Sequence, residues 1–146
     1  MSGQVKVFTI CFKKGDDLKD CVRDFVVKNK LCAPFILLSK GTVKSVMLSL
    51  NSTPSFGPPF PAQEEVVTYD ENLEICSLVG TLSHDGSHLH AVLGRADGSV
   101  VAGHVVGDMV VQTTAEVVIG DSTTEKYSRV LDPATSYNEL VITKRQ

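Results

Sequence analysis

The sequence predicts an α+β domain, with a mostly antiparallel β-sheet and one main N-terminal amphipathic helix. Two patterns and the chain length support this. Apolar residues recur at helical spacing in one segment near the N-terminus, whereas most of the chain after residue 65 consists of Val-rich stretches separated by turn residues. The length of 146 residues is typical of one domain, so we expect residues 1–146 to form a single unit.

The N-terminal third is predicted to hold a strand and then the helix. Val5 to Phe12 is rich in β-branched and aromatic residues, which favour strands. Asp16 is the predicted helix N-cap, and the helix should end near Asn29. Its apolar face has the spacing i, i+3, i+4, i+7, i+8 and comprises Leu18, Cys21, Val22, Phe25 and Val26.

The rest of the chain is predicted to be β-structure with one long loop. Residues 33–38 and 43–50 indicate two strands joined by a turn at residues 39–41. Residues 51–64 contain most of the prolines and are expected to form an exposed Pro-rich loop. Six further strands are predicted: Val66–Tyr69, Leu73–Ser83, His88–Gly94, Ser99–Val106, Met109–Ile119 and Glu139–Lys144.

Composition argues against several functional classes. A net charge of −3 disfavours sequence-independent binding to nucleic acid. The N-terminus lacks the pattern of a signal peptide, and no apolar run approaches the length of a membrane span. The four cysteines form no CxxC pair, so we expect reduced thiols in a cytoplasmic or nuclear protein, with Cys11 and Cys21 packed in the interior.

Three of the four histidines lie between residues 88 and 104. His88 and His90 are two residues apart, so both side chains should point to the same face of a strand. A two-residue loop at Asp97-Gly98 would place His104 on the opposite face. A three-residue loop closed by Gly98 in the left-handed conformation would instead place His104 directly opposite His90.

The three-residue loop would create a candidate metal site. Three imidazoles on one face could hold zinc or another divalent metal with one position open. The alternative is a set of polar residues on a half-buried or subunit-facing surface. Glu116 and Arg95 are candidate supporting groups, with Glu116 either orienting an imidazole N–H or serving as a general base.

Six segments along the chain carry recognisable motifs: 15–18 (GDDL), 73–83 (LEICSLVGTLS), 89–93 (LHAVL), 97–104 (DGSVVAGH), 114–119 (TAEVVI) and 135–140 (TSYNEL). Together they resemble the PPC domain (plant and prokaryote conserved domain). The departures are Ala102, where the family usually has glycine, Ser136, where it also has glycine, and the absence of the basic AT-hook of DNA-binding plant members.

The resemblance implies a homotrimer of α+β domains. It also implies that His88, His90 and His104 bind a metal such as zinc, although it supplies no reaction. We therefore expect a non-catalytic trimeric module that acts through protein partners. The alternatives are a metal-assisted hydrolase or lyase of unknown substrate, and a regulator associated with DNA or chromatin. The net charge of −3 and the missing AT-hook disfavour direct contact of this chain with DNA.

Overall fold

A computed structural model describes residues 3–51 and 64–146. In these ranges the elements are β1 (Val5–Lys13), α1 (Leu18–Lys28), β2 (Pro34–Asn51), β3 (Glu64–Tyr69), β4 (Leu73–Ser83), β5 (Gly86–Gly94), β6 (Val100–Ser122), β7 (Glu125–Leu131) and β8 (Asn138–Lys144). The Pro-rich loop predicted for residues 51–64 lies, from 52 to 63, outside the described residues. No helix in the described ranges has both the length and the apolar character needed to cross a membrane.

The strands form one large sheet and one small one. The large sheet has the order β1-β6-β5-β4-β2-β3, and β7 pairs with β8 in the small one. Every pairing is antiparallel, as predicted for most of the sheet. An additional pairing between β2 and β6 closes β6, β5, β4 and β2 into a ring.

The turn predicted at residues 39–41 and the break predicted between Val106 and Met109 are both wrong, because the chain continues through each of them as a strand. β6 passes through Gly107-Asp108, where a Cβ on Gly107 would lie 2.5 Å from the Met47 sulfur of β2. β2 passes through Gly41, which has a φ of +137° and lies at a shift in the β2–β6 register. Both glycines therefore allow close strand contact or a bulge instead of reversing the chain.

The helix begins one residue later than predicted. Asp17 is the N-cap, and its carboxylate accepts hydrogen bonds from Asp20 N at 2.9 Å and from Met109 N at 3.0 Å. Asp16 instead accepts a hydrogen bond from Lys13 N at 2.8 Å. Asp17 rather than Asp16 is the N-cap because its second hydrogen bond, from Met109 of β6, joins the start of the helix to the sheet. The fully buried helix residues are Leu18, Val22 and Val26.

The predicted packing of the cysteines is wrong for Cys11, which is exposed. Phe12, the next residue of β1, is buried, so the alternation of the strand directs Cys11 outward. Cys21 is partly buried. The same alternation on β5 directs Leu89, Ala91 and Leu93 into the core, and leaves the residues between them on the outer face.

Candidate functional site

The turn between β5 and β6 is the three-residue loop. Gly98 has a φ of +85°, the left-handed conformation that this loop requires. Arg95 N donates to Ser99 O at 2.8 Å, and Gly98 N donates to Arg95 O at 3.0 Å. Asp97 Oδ1 accepts from Ser99 N at 2.9 Å, which further fixes the turn. The two-residue alternative is therefore excluded, and His90 pairs directly with His104.

The three histidine rings converge on the outer face of the sheet. The ring centroids are 4.9 Å apart for His88 and His90, 4.5 Å for His88 and His104, and 5.5 Å for His90 and His104. The Nε2 atoms of His88 and His90 are 3.0 Å apart, a hydrogen-bond distance. His88 and His90 are exposed and His104 is partly buried, so a ligand from solvent can approach the cluster.

The surroundings of His88 favour its neutral form. Partial removal of the ring from water lowers the pKa of His88, and positive charge on His90 and Arg129 lowers it further. The negative charge of Glu139 acts in the opposite direction. Since metals bind the neutral imidazole, this environment keeps His88 in the form that can bind one.

Three imidazoles are a donor set that zinc accepts, so their spacing can be compared with that of a tetrahedral site. With Zn–N bonds of ~2.0–2.1 Å, ligand nitrogens lie about 3.3 Å apart and ring centroids about 5 Å apart. The observed separations are close to both values. However, no group of three or more His, Cys, Asp or Glu in residues 3–51 and 64–146 could hold a metal as it stands. If both Nε2 atoms were to bind one metal ion, the His88–His90 hydrogen bond would have to break.

The two predicted supporting residues do not join the cluster. Glu116 lies 12 residues beyond His104 on β6, which is roughly 40 Å of extended strand. Its Oε2 is 3.3 Å from Lys40 Nζ, an exposed ion pair. Arg95 belongs to the turn at the other end of the hairpin, and its guanidinium pairs with Glu71 at 2.8 Å.

Arg129 of β7 lies beside the histidines, although the sequence analysis gave it no role in the site. Thr81 pairs with His88 across β4 and β5, so the two side chains share a face. Arg129 Nη2 donates to Thr81 Oγ1 at 2.6 Å, while its Nε is buried and has no hydrogen-bond partner. No regular apolar alternation in residues 125–131 indicated a strand here, so the sequence offered only the charge of Arg129 as a signal.

The sequence matches the family named Plants and Prokaryotes Conserved (PCC) domain over residues 1–123. The chain belongs to this family. The PCC chain is 35% identical over 143 residues to the bifunctional protein GlmU of Synechococcus sp. strain JA-3-3Ab, with coverage of 98% of the chain and 21% of that protein. The chain thus spans about a fifth of the length of this curated relative.

Solved structures share the PCC fold over almost their whole length. A hypothetical protein from Salmonella cholerae-suis has a TM-score of 0.87 and 27% identity, with coverage of 100% of this chain and 99% of that one. A metal-containing protein from Archaeoglobus fulgidus has a TM-score of 0.79 and 25% identity, with coverage of 96% of each chain. These likenesses agree with the arrangement of one helix and an antiparallel sheet.

Gly80 positions the histidine strand in this PCC domain. It pairs with Leu89 and has a φ of +149°, which side chains rarely allow. A Cβ at this position would overlap the carbonyl oxygen of His88. Glycine therefore allows β4 to approach β5 closely beside the cluster. The sequence did contain an indication of the importance of Gly80, because this residue is part of the segment 73–83 that resembles the family.

Ser49 lies on the other side of the cluster. It pairs with His104 across β2 and β6, and this register places both side chains on the same face. Ser49 is 3% exposed, and its hydroxyl oxygen has no hydrogen-bond partner. The three rings are thus flanked by two buried polar atoms without partners, Ser49 Oγ and Arg129 Nε.

Proposed function

We propose that this PCC domain is a trimeric module that holds zinc or another divalent metal on His88, His90 and His104 and acts by associating with partners. The supporting observation is the convergence of three imidazole rings, with centroids 4.5–5.5 Å apart, on one face. The similarity to the metal-containing protein of Archaeoglobus fulgidus, at 25% identity, also supports it.

In this proposal each histidine contributes one neutral imidazole nitrogen. His88 and His90 would use Nε2, because these atoms already face each other at 3.0 Å. A zinc ion with three such ligands and one open position lowers the pKa of a bound water and can accept a partner's donor atom. The pairing of Glu116 with Lys40 leaves a metal-assisted hydrolase or lyase without the base assigned to it from the sequence.

The β7–β8 hairpin supports the proposed trimer. A two-stranded sheet is marginally stable in water on its own, so its apolar side chains need a surface to pack against. Several of them are exposed in the single chain, and Leu131 is 61% exposed. We propose that neighbouring copies cover this set, which comprises Val130, Leu131, Tyr137, Val141 and Ile142.

Metal content and molecular mass, measured on the same untagged sample, test both parts. We expect about one zinc per chain, since three ligands form one site. We also expect a mass three times that of the 15.7 kDa chain by light scattering. His90→Ala should lose the metal, whereas His84→Ala, in an exposed turn outside the cluster, should keep it.

Two results would contradict the proposal. Zinc content below about 0.2 per chain after loading with zinc, with no difference between the wild type and His90→Ala, would exclude the metal site. A monomer at micromolar concentration would exclude the trimer.

A further inference from the structure

We propose that Arg129 and Thr81 form an oxyanion-binding subsite beside the three histidines. Its ligand is a small molecule with a carboxylate or phosphate group, which Arg129 binds while another part of the ligand reaches the metal position. The second contact rests on the proposed function. The binding of the oxyanion by Arg129 does not.

Strand register places the guanidinium at the cluster. Thr81 and His88 are direct partners on β4 and β5, with Cβ atoms about 5 Å apart on one face. Arg129 reaches this face from β7 and donates from Nη2 to Thr81 Oγ1 at 2.6 Å and to Thr81 O at 3.4 Å.

The charge of Arg129 is poorly compensated. Within residues 3–51 and 64–146, Arg129 forms no ion pair, whereas Arg95 is paired with Glu71 through both Nε and Nη2. Burial lowers the pKa of Arg129, and the nearby charge of Glu139 only partly offsets this effect. A cation partly removed from water without a counter-ion is unfavourable, and a bound oxyanion would relieve that cost.

The unused donor of Arg129 fits an oxyanion. A guanidinium has five N–H donors in one plane, and carboxylates and phosphates accept from two of them together. The hydrogen bonds of this side chain to Thr81 involve Nη2 alone, and the buried Nε has no acceptor. An oxyanion oxygen that reached Nε would satisfy this donor, and the bound group would lie near Thr81, the register partner of His88.

A purely structural role is the competing explanation. The backbone N of Arg129 donates to Asp85 Oδ2 at 3.4 Å, and its side chain joins β7 to β4 through Thr81. Arg129 could thus serve only to attach the hairpin to the sheet. This role predicts that replacing Arg129 reduces stability and has no specific effect on anions.

Calorimetric titration with inorganic phosphate and with succinate separates the two explanations. Zinc-loaded and zinc-free wild type should both bind at least one of the two anions. Arg129→Gln should weaken binding at least about tenfold, since a hydrogen bond to a charged group contributes on that scale. Arg95→Gln is the matched control, because it removes one positive charge at the far end of the hairpin and should leave binding unchanged.

Three results would overturn the subsite: no binding of either anion by wild type at about 10 mM, equal binding by Arg129→Gln and wild type, or an equal loss in Arg95→Gln. If Arg129→Gln does not fold by circular dichroism, Arg129→Lys takes its place, because lysine keeps the charge but not the planar donor pair. Metal content is measured separately. Arg129-dependent anion binding by a chain without zinc would support the subsite and refute the metal site.

Discussion

The two ends of the β5–β6 hairpin differ in how their polar groups are satisfied. At the turn, each charged side chain has a partner close by. Arg95 donates hydrogen bonds from both Nε and Nη2 to the Glu71 carboxylate, and its guanidinium carbon lies 5.7 Å from the Tyr69 ring centroid. Asp97 accepts from both the backbone and the hydroxyl of Ser99. This end is complete without a ligand.

The histidine end brings together residues from distant parts of the chain. Ser49, Thr81, the three histidines and Arg129 come from β2, β4, β5, β6 and β7. Two of the polar atoms here, Ser49 Oγ and Arg129 Nε, are buried and have no partner. Local contacts thus close the turn end of the hairpin, whereas tertiary contacts build the histidine end and leave two buried polar atoms there without partners.

The largest loss of stability should come from Gly80→Ala, which alters the histidine end of the hairpin. The new Cβ would overlap the His88 carbonyl at a backbone conformation that alanine rarely adopts, so we expect a loss of about 3 kcal/mol or more. Gly98→Ala at the turn meets no atom within 4 Å and should lose only ~1–2 kcal/mol, from its left-handed conformation. Urea unfolding measures both, and equal losses would contradict the contrast.

A smaller effect is expected from Arg129→Met. Methionine retains the length of the side chain, removes the uncompensated charge and gives up the hydrogen bonds to Thr81. Since these contributions oppose each other, the free energy of unfolding should change by less than about 1 kcal/mol. Thermal and urea unfolding of Arg129→Met and wild type would measure this change in the free energy of unfolding. A loss of about 3 kcal/mol would instead identify Arg129 as a structural attachment of the hairpin.

The smallest expected change in stability is at the turn end of the hairpin, where the charged side chains are already paired, and it depends on pH. The hydrogen bonds from Arg95 lower the pKa of Glu71. The stabilisation from this pair is therefore present above the unfolded pKa of about 4.3, and is lost as pH falls through the lower folded value. Arg95→Met should be slightly less stable than wild type near about pH 6, and this difference should shrink as the pH falls through the folded pKa of Glu71. Its Glu71 pKa, followed by NMR, should rise.

The sequence predicted the alternation of β5, with His88 and His90 outside and Leu89 inside, because a strand period involves only neighbouring residues. It did not decide the turn, because Asp97 and Gly98 fit both a two-residue and a three-residue loop. The structure has the three-residue loop, which sets the register that pairs His90 with His104.

The sequence did not predict features set by contacts between distant elements. β2 and β6 were each divided at a glycine, because a glycine in a bulge or under another strand has the same local signal as one in a turn. β7 was missed because its side chains lack the alternation of a strand with one face in the core. Arg129 was missed with it, and its place beside Thr81 depends on how the hairpin packs.

The long β6 strand also has a consequence for the folding rate. Its last residues complete the pairing with β1, where Ser122 lies opposite Val5. The middle of β6 pairs with β2, and the start of β6 pairs with β5. The pairing of β6 with β1 and the last part of its pairing with β2 therefore cannot form until the chain has been synthesised to Ser122. Such long-range pairing predicts slow folding, on the order of milliseconds to seconds, and the exposed edges of the early strands would need protection until β6 emerges.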